Sequence, residues 1–243
     1  MNTNVNLEAA VGVLGFLGTG FLLFAAALVV LFLLARGRRG AAGNVLLVAL
    51  GLCVAYAGLL VVFSLASTER VLARGAEKHF CEIDCHLAYS IKDVRQTKSL
   101  GPAAQTATAD GVFYVVTVKT RFDEQTISPT RGNQSLTPNS RVATVLDADG
   151  REYQPSPAGQ RALELTEGTG MPFTTPLRPG ESYTTELVFD LPADVRAPRL
   201  LIHEGETVTH FIIGHENSPL HKKTAFQLPA PGAQAEQPAP ARG

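Results

Sequence analysis

Residues 111–122 read GVFYVVTVKTRF, with Val112, Tyr114, Val116 and Val118 at alternate positions. A period of two is the pattern of a half-buried strand. Working downstream, a polar and turn-rich stretch at 127–140 separates this strand from SRVATVLDADGREYQP at 140–155. The latter reads as two strands joined by a turn at 147–150. Ser156 followed by Pro157 predicts a short helix over 156–167, with serine as cap and proline in the first turn. LRPGESYTTELVFDLP at 177–192 predicts a strand in which Leu187, Phe189 and Leu191 share a face. APRLLIHEGE at 197–206 and TVTHFIIG at 207–214 read as another strand pair, and KKTAFQL at 222–228 as a last strand. Short strands between regular turns, with almost no helix, indicate an antiparallel β-sandwich.

Upstream the character changes. Residues 9–35 carry no charge, and neither do residues 45–66; each run is long enough to cross a bilayer as a helix. A secretory signal would place basic residues before a shorter apolar core, whereas here Arg36, Arg38 and Arg39 come after the first run. Those arginines hold the short loop in the cytoplasm and set both termini on the other side. Gly12, Gly15, Gly18 and Gly20, with Gly51, Ala55 and Gly58, are small residues that permit close helix packing. No Asp, Glu, Lys, Arg or His lies within either run, which leaves an ion or proton path without its usual groups. The pair reads as an anchor.

The expected organisation is a polar N-terminus at 1–8, transmembrane helices at 9–35 and 45–66, and a cytoplasmic loop at 36–44. A linker at 67–78, an extracytoplasmic β-sandwich at 79–228 and a disordered Pro/Ala-rich tail at 229–243 complete it. The expected location is the bacterial inner membrane, multi-pass, with the β-domain on the periplasmic side. The 243-residue chain has a net charge of −1 and no Trp. That balance argues against a nucleic-acid partner, which demands a basic face and stacking aromatics. The expected partners are membrane lipid and other envelope proteins.

The succession VVTVKTRF, VLDADGREYQP and LRPGESYTTELVFDLP resembles the immunoglobulin-like domains of many secreted or membrane-tethered bacterial proteins of unknown function. That resemblance covers the middle third of the chain and implies an adhesion or interaction module. It carries over no functional residue.

The candidate site is HFCEIDCHLAYS at 79–90, where Cys81 and Cys85 are flanked by His79 and His86. One reading is a local disulfide, favoured outside the cytoplasm. A second is a copper or zinc site, since thiolate and imidazole together suit both metals. Its ligands would be Cys81, Cys85, His86 and His79, with His215 and His221 brought in from HFIIGHENSPLH at 210–221. A third follows from two N-terminal helices, an extracytoplasmic sandwich and a C-x3-C pair enclosing Glu82 and Ile83. These resemble subunit II of cytochrome oxidases, which implies a dinuclear copper centre. That family's motif continues with a histidine and a methionine where this chain has Tyr89 and Lys92, and it lies late in its domain. Covalent haem is the fourth reading, but three residues rather than two separate the cysteines ahead of His86. Hydrolase patterns fail: His203–Glu204 and His215–Glu216 lack the second histidine of H-E-x-x-H. The leading expectation is a non-enzymatic binding or scaffold module within an envelope complex; the alternative is a metal-handling or redox protein using the CEIDCH stretch.

Overall fold

The structure, a computed structural model, describes residues 2–81, 85–128 and 130–233. The disordered-tail expectation falls mostly on residues outside that description, as do Glu82 and Ile83. Helix α1 spans Ala9–Ala35 and α2 spans Arg39–Leu65. At 1.5 Å per residue, 27 residues give each a length of about 40 Å. Both are long and apolar enough to cross a membrane, and almost none of either apolar window is buried. The second helix begins at Arg39 rather than at 45. Nothing in 39–44 breaks a helix, and the chain has already reversed through Gly37, at φ +70°. Gly15, Gly18, Gly20, Gly51 and Gly58 do not make the helix–helix seam, because a Cβ added at any of them meets nothing within 4 Å.

The strands are β1 (Asn2–Thr3), β2 (Arg70–Leu72), β3 (Lys78–Phe80), β4 (Leu87–Leu100), β5 (Ala107–Phe122), β6 (Arg141–Leu146), β7 (Glu152–Tyr153), β8 (Ser182–Leu191), β9 (Arg199–Glu204) and β10 (Thr224–Gln227). Among the described residues they form two five-stranded sheets, ordered β1-β3-β4-β5-β8 and β2-β10-β9-β6-β7. The sheets are mixed rather than purely antiparallel: β1 runs parallel to β3, and β2 parallel to β10. Between them lies the core, built from Tyr89, Val116 and Phe189 of the first sheet and Val145, Ile202 and Phe226 of the second. Alternate residues of β5 face the other way. Phe113 and Val115 are covered by helix α3 (Pro157–Glu164) through Ala162 and Leu163. That helix starts as expected, with Ser156 Oγ accepting the Gly159 N–H. Gly159 sits so close to β8 that a Cβ there would lie 2.5 Å from Val188.

One strand has no counterpart in the sequence reading, and two expectations change. Strand β4 pairs along almost all of β5, yet its alternation is broken by a register shift between Ile91 and Asp93. Thr207–Phe211 is a 3-10 turn, not a strand; β9 pairs with β6 and β10 instead. Residues 67–78 are no free linker, since β2 is an edge of the second sheet.

Candidate functional site

The site is the polar end of the sandwich, where the helices leave it. Residues 2–6 run through this end as a stitch. The Asn4 N–H donates to His79 O at 3.2 Å, and the Glu216 N–H donates to Asn4 O at 2.9 Å. Asn4 Oδ1 takes the Cys81 N–H at 2.9 Å, so one buried asparagine joins β3, Cys81 and the 214–218 loop. Asn6 continues the seam: its N–H donates to Gly214 O at 2.9 Å, and its amide donates to Phe63 O of α2 at 2.7 Å. Segment 207–214 packs against the helices. Tyr56 Oη of α2 donates to Phe211 O at 2.6 Å, and the Ile213 carbonyl lies 2.7 Å from where a Cβ of Gly12 would stand.

Inside the stitch lie two cations and two carboxylates, all with side chains at most 2 % exposed. Lys78 Nζ donates to Glu216 Oε1 at 2.6 Å, Ile202 O at 2.7 Å and Thr224 O at 3.0 Å. Three donors meet three acceptors, and strand β3 of one sheet is tied to β9 and β10 of the other. Burial pushes the Lys78 ammonium below its ordinary pKa, against the pull of Glu216. Arg141 lies 3.6 Å from Glu204 and over the Phe80 ring at 4.3 Å.

The six residues singled out in the sequence all lie at or near this end but do not form one site. Cys81 and Cys85 are joined as a disulfide, with Cα atoms 4.2 Å apart. Their sulfurs are therefore not thiolates, the form a metal needs. His79 Nε2 lies 3.1 Å from Asp123 Oδ2, beside the Arg121–Glu77 pair at 2.8 Å. The Arg121 guanidinium holds the Glu77 carboxyl below its usual pKa. His86 stacks on Phe122 at 5.3 Å and bonds Thr126 Oγ1 at 2.7 Å. His215 Nδ1 accepts the Asn217 N–H at 3.0 Å, which places the ring proton on Nε2, 2.7 Å from Glu204 Oε2. His221 Nε2 lies 3.1 Å from Asn6 Oδ1, and burial lowers its pKa. Among the described residues no group of three or more His, Cys, Asp or Glu converges as a metal-binding set. Where the oxidase motif has its histidine, Tyr89 is a fully buried core residue edge-on to Phe80.

A polar cavity of about 20 Å³, lined by Asn4, Asn6, Ser67, Arg70, His221 and Lys222, has room for roughly one water. The sequence does not single out Asn4, Asn6 or Lys78, and Glu204 and Glu216 stand out in it only as parts of incomplete H-E-x-x-H patterns. An isolated Asn, or a Lys followed by His-Phe, carries no pattern; only the fold gives these residues partners. What the arrangement does chemically is fasten. Its charges are spent on one another and on backbone carbonyls, and the neutral Asn6 amide holds α2.

No curated protein matches this chain. Among solved structures it is similar to MPT63, a secreted protein of Mycobacterium tuberculosis, at 13% identity over 66% of this chain and 98% of that one, with a TM-score of 0.38. It is also similar to the YjhA protein of Bacillus subtilis, at 12% identity over 65% and 98%, with a TM-score of 0.39. A conserved hypothetical protein of Bacillus anthracis matches at 17% over 49% and 81%, with a TM-score of 0.34. Residues 83–210, more than half of the chain, match the domain of unknown function DUF4352, and the chain belongs to that family.

Proposed function

We propose that this chain is a two-helix membrane protein that presents an immunoglobulin-like β-sandwich outside the cytoplasm as a non-enzymatic binding or scaffold module, a subunit of an envelope complex. The observation that carries the reading is the mount. Residues 2–6, Tyr56, Phe63 and Gly12 fix the sandwich against the helix pair, so the domain is held in one orientation rather than trailing on a tether. A fixed platform suits an assembly role. Arg36 and Arg38 between the helices, with Arg39 at the start of α2, support the sidedness, as does a disulfide, which is favoured in an oxidising compartment.

The test is made on the full chain, gently solubilised from bacterial membranes. The expected result is sedimentation within a defined assembly larger than the free chain, no stoichiometric copper or zinc, and protease access to the sandwich only from outside. A free monomer carrying copper or zinc, released by Cys81→Ser, would overturn this reading in favour of metal handling.

A further inference from the structure

The helices are longer than they need to be. Taking Arg36 and Arg39 as lying in the inner headgroups, a hydrocarbon core of about 30 Å uses only some 20 residues of each. Tyr56 lies 17 residues along α2 from Arg39, about 25 Å at the helical rise. Gly12 lies 24 residues from Arg36 on α1, about 36 Å by the same measure. These are the two residues that segment 207–214 grips. Phe211, whose carbonyl holds Tyr56, and Ile213, whose carbonyl faces Gly12, therefore sit at the outer edge of the hydrocarbon and in the headgroup zone.

The same part of the chain, 207–222, carries exposed apolar side chains. Val208 is 46 % exposed, Phe211 56 % and Leu220 65 %. Leu220 is moreover held at φ +66°, a conformation unfavourable for a branched residue. The turn is fixed around it by Ser218 Oγ on Ile212 O, by the Lys222 N–H on Ser67 Oγ and by His221 on Asn6. That geometry keeps a leucine out of the protein at the level of the helix exits. Exposed Lys222 follows two residues on, and exposed Arg70 donates its N–H to Lys223 O. The hairpin, residues 2–6 and residues 211–222 all fall outside the family match at 83–210.

We propose that residues 207–222 form a collar that enters the outer leaflet around the helix pair, seating Val208, Phe211 and Leu220 among acyl chains with Arg70 and Lys222 on lipid phosphates. This rests on the membrane-spanning reading above. The ligand is the bilayer surface itself, and the collar makes up the length of helix that the hydrocarbon does not cover.

The chain has no Trp, so each introduced Trp is the sole reporter. Full-length Phe211→Trp and Leu220→Trp are reconstituted in phosphatidylcholine–phosphatidylglycerol vesicles brominated either near the headgroup or near the chain ends. Leu50→Trp at mid-span and Leu165→Trp, on the exposed end of α3, serve as controls. The proposal expects blue-shifted emission from both collar variants, lost mainly to shallow bromines and spared by aqueous iodide. Leu50→Trp should be quenched by deep bromines and Leu165→Trp by iodide. Deep quenching of Leu50→Trp with iodide quenching of the collar variants would overturn the collar and leave the anchor standing. A Leu50→Trp reporter untouched by bromine would overturn the anchor reading and the collar with it. Collar reporters shielded from both quenchers would mean that protein, not lipid, covers them, and would also overturn the proposal. If Phe211→Trp does not fold, Leu220→Trp at the exposed turn gives the decision alone.

Discussion

Lys78→Met tests whether the two sheets are fastened through their buried charges. The substitution keeps the aliphatic stem but removes three hydrogen bonds, to Glu216, Ile202 and Thr224. It leaves the Glu216 carboxylate, 1 % exposed, without its cation. Breaking a buried pair by removing one partner costs about 3–5 kcal/mol, mostly because a desolvated charge is stranded. For a chain of this size that lowers the melting midpoint by about 6–20 °C. The loss is read from thermal melts of the β-sheet signal by circular dichroism on detergent-solubilised full chain. Lys78→Met combined with Glu216→Met strands no charge and should recover at least ~1 kcal/mol relative to Lys78→Met alone. A single variant costing less than about 1 kcal/mol, or a pair whose losses simply add, would refute the account: the end of the sandwich would then be hydrated and the charges uncoupled.

The mount should show a matched contrast between two glycines of α1. Gly12→Ala pushes a methyl to within 2.7 Å of the Ile213 carbonyl and should cost about 1–3 kcal/mol, with faster proteolysis at 207–214; Gly15→Ala meets nothing and should leave both measurements unchanged. Replacing Cys81 and Cys85 by Ser opens a short ring and should cost about 2 kcal/mol on the loop-entropy estimate. In the same preparations thiol titration of the native chain should find Cys53 alone, and three thiols after reduction in denaturant. Glu77 is held below its ordinary pKa of 4.5 by Arg121, so the folded chain binds fewer protons in acid than the unfolded one. Its contribution is therefore complete above pH 4.5 and drains away as pH falls through the lower folded value; Arg121→Met should flatten that part of an acid-unfolding profile, and an unchanged profile would rule the pair out as its cause.

The elements legible in the sequence are those whose signal is local. Uncharged runs specify a helix by themselves, Ser156–Pro157 caps α3 within four residues, and Asp147 closes its own turn by accepting the Asp149 and Arg151 N–H groups. Strand β8 was readable because Phe189 and Leu191 enter the core at a period of two. Strand β4 was not, since the irregularity after Ile91 shifts its alternation out of phase. Residues 207–214 look like a strand because Val208, Phe211, Ile212 and Ile213 recur through them, but Thr207–Phe211 winds into a 3-10 turn, and the Phe211 and Ile213 carbonyls meet the helices rather than a partner strand. The two parallel pairs depend on how residues 2–3 and 70–72 dock, which no periodicity encodes. The cysteines were legible as a pair; the surrounding histidines looked like a set and are instead separate contacts, each ring taken by a different neighbour.

The stitch also has a consequence in time. Asn4 and Glu216, whose N–H donates to the Asn4 carbonyl, are separated by 212 residues. At about 5–20 residues per second, the ribosome makes the second roughly 10–40 s after the first. For most of that interval, once Leu65 has been made, the helix pair is complete, while the segment that will lock the sandwich to it is still to come. On the membrane-spanning reading proposed above, insertion precedes closure, and the domain passes through a stage in which its β3 edge and Cys81 are open. A chaperone, an oxidant for the cysteines or an assembly partner that must reach this end has that window in which to act. Once residues 214–221 arrive, the opening is shut.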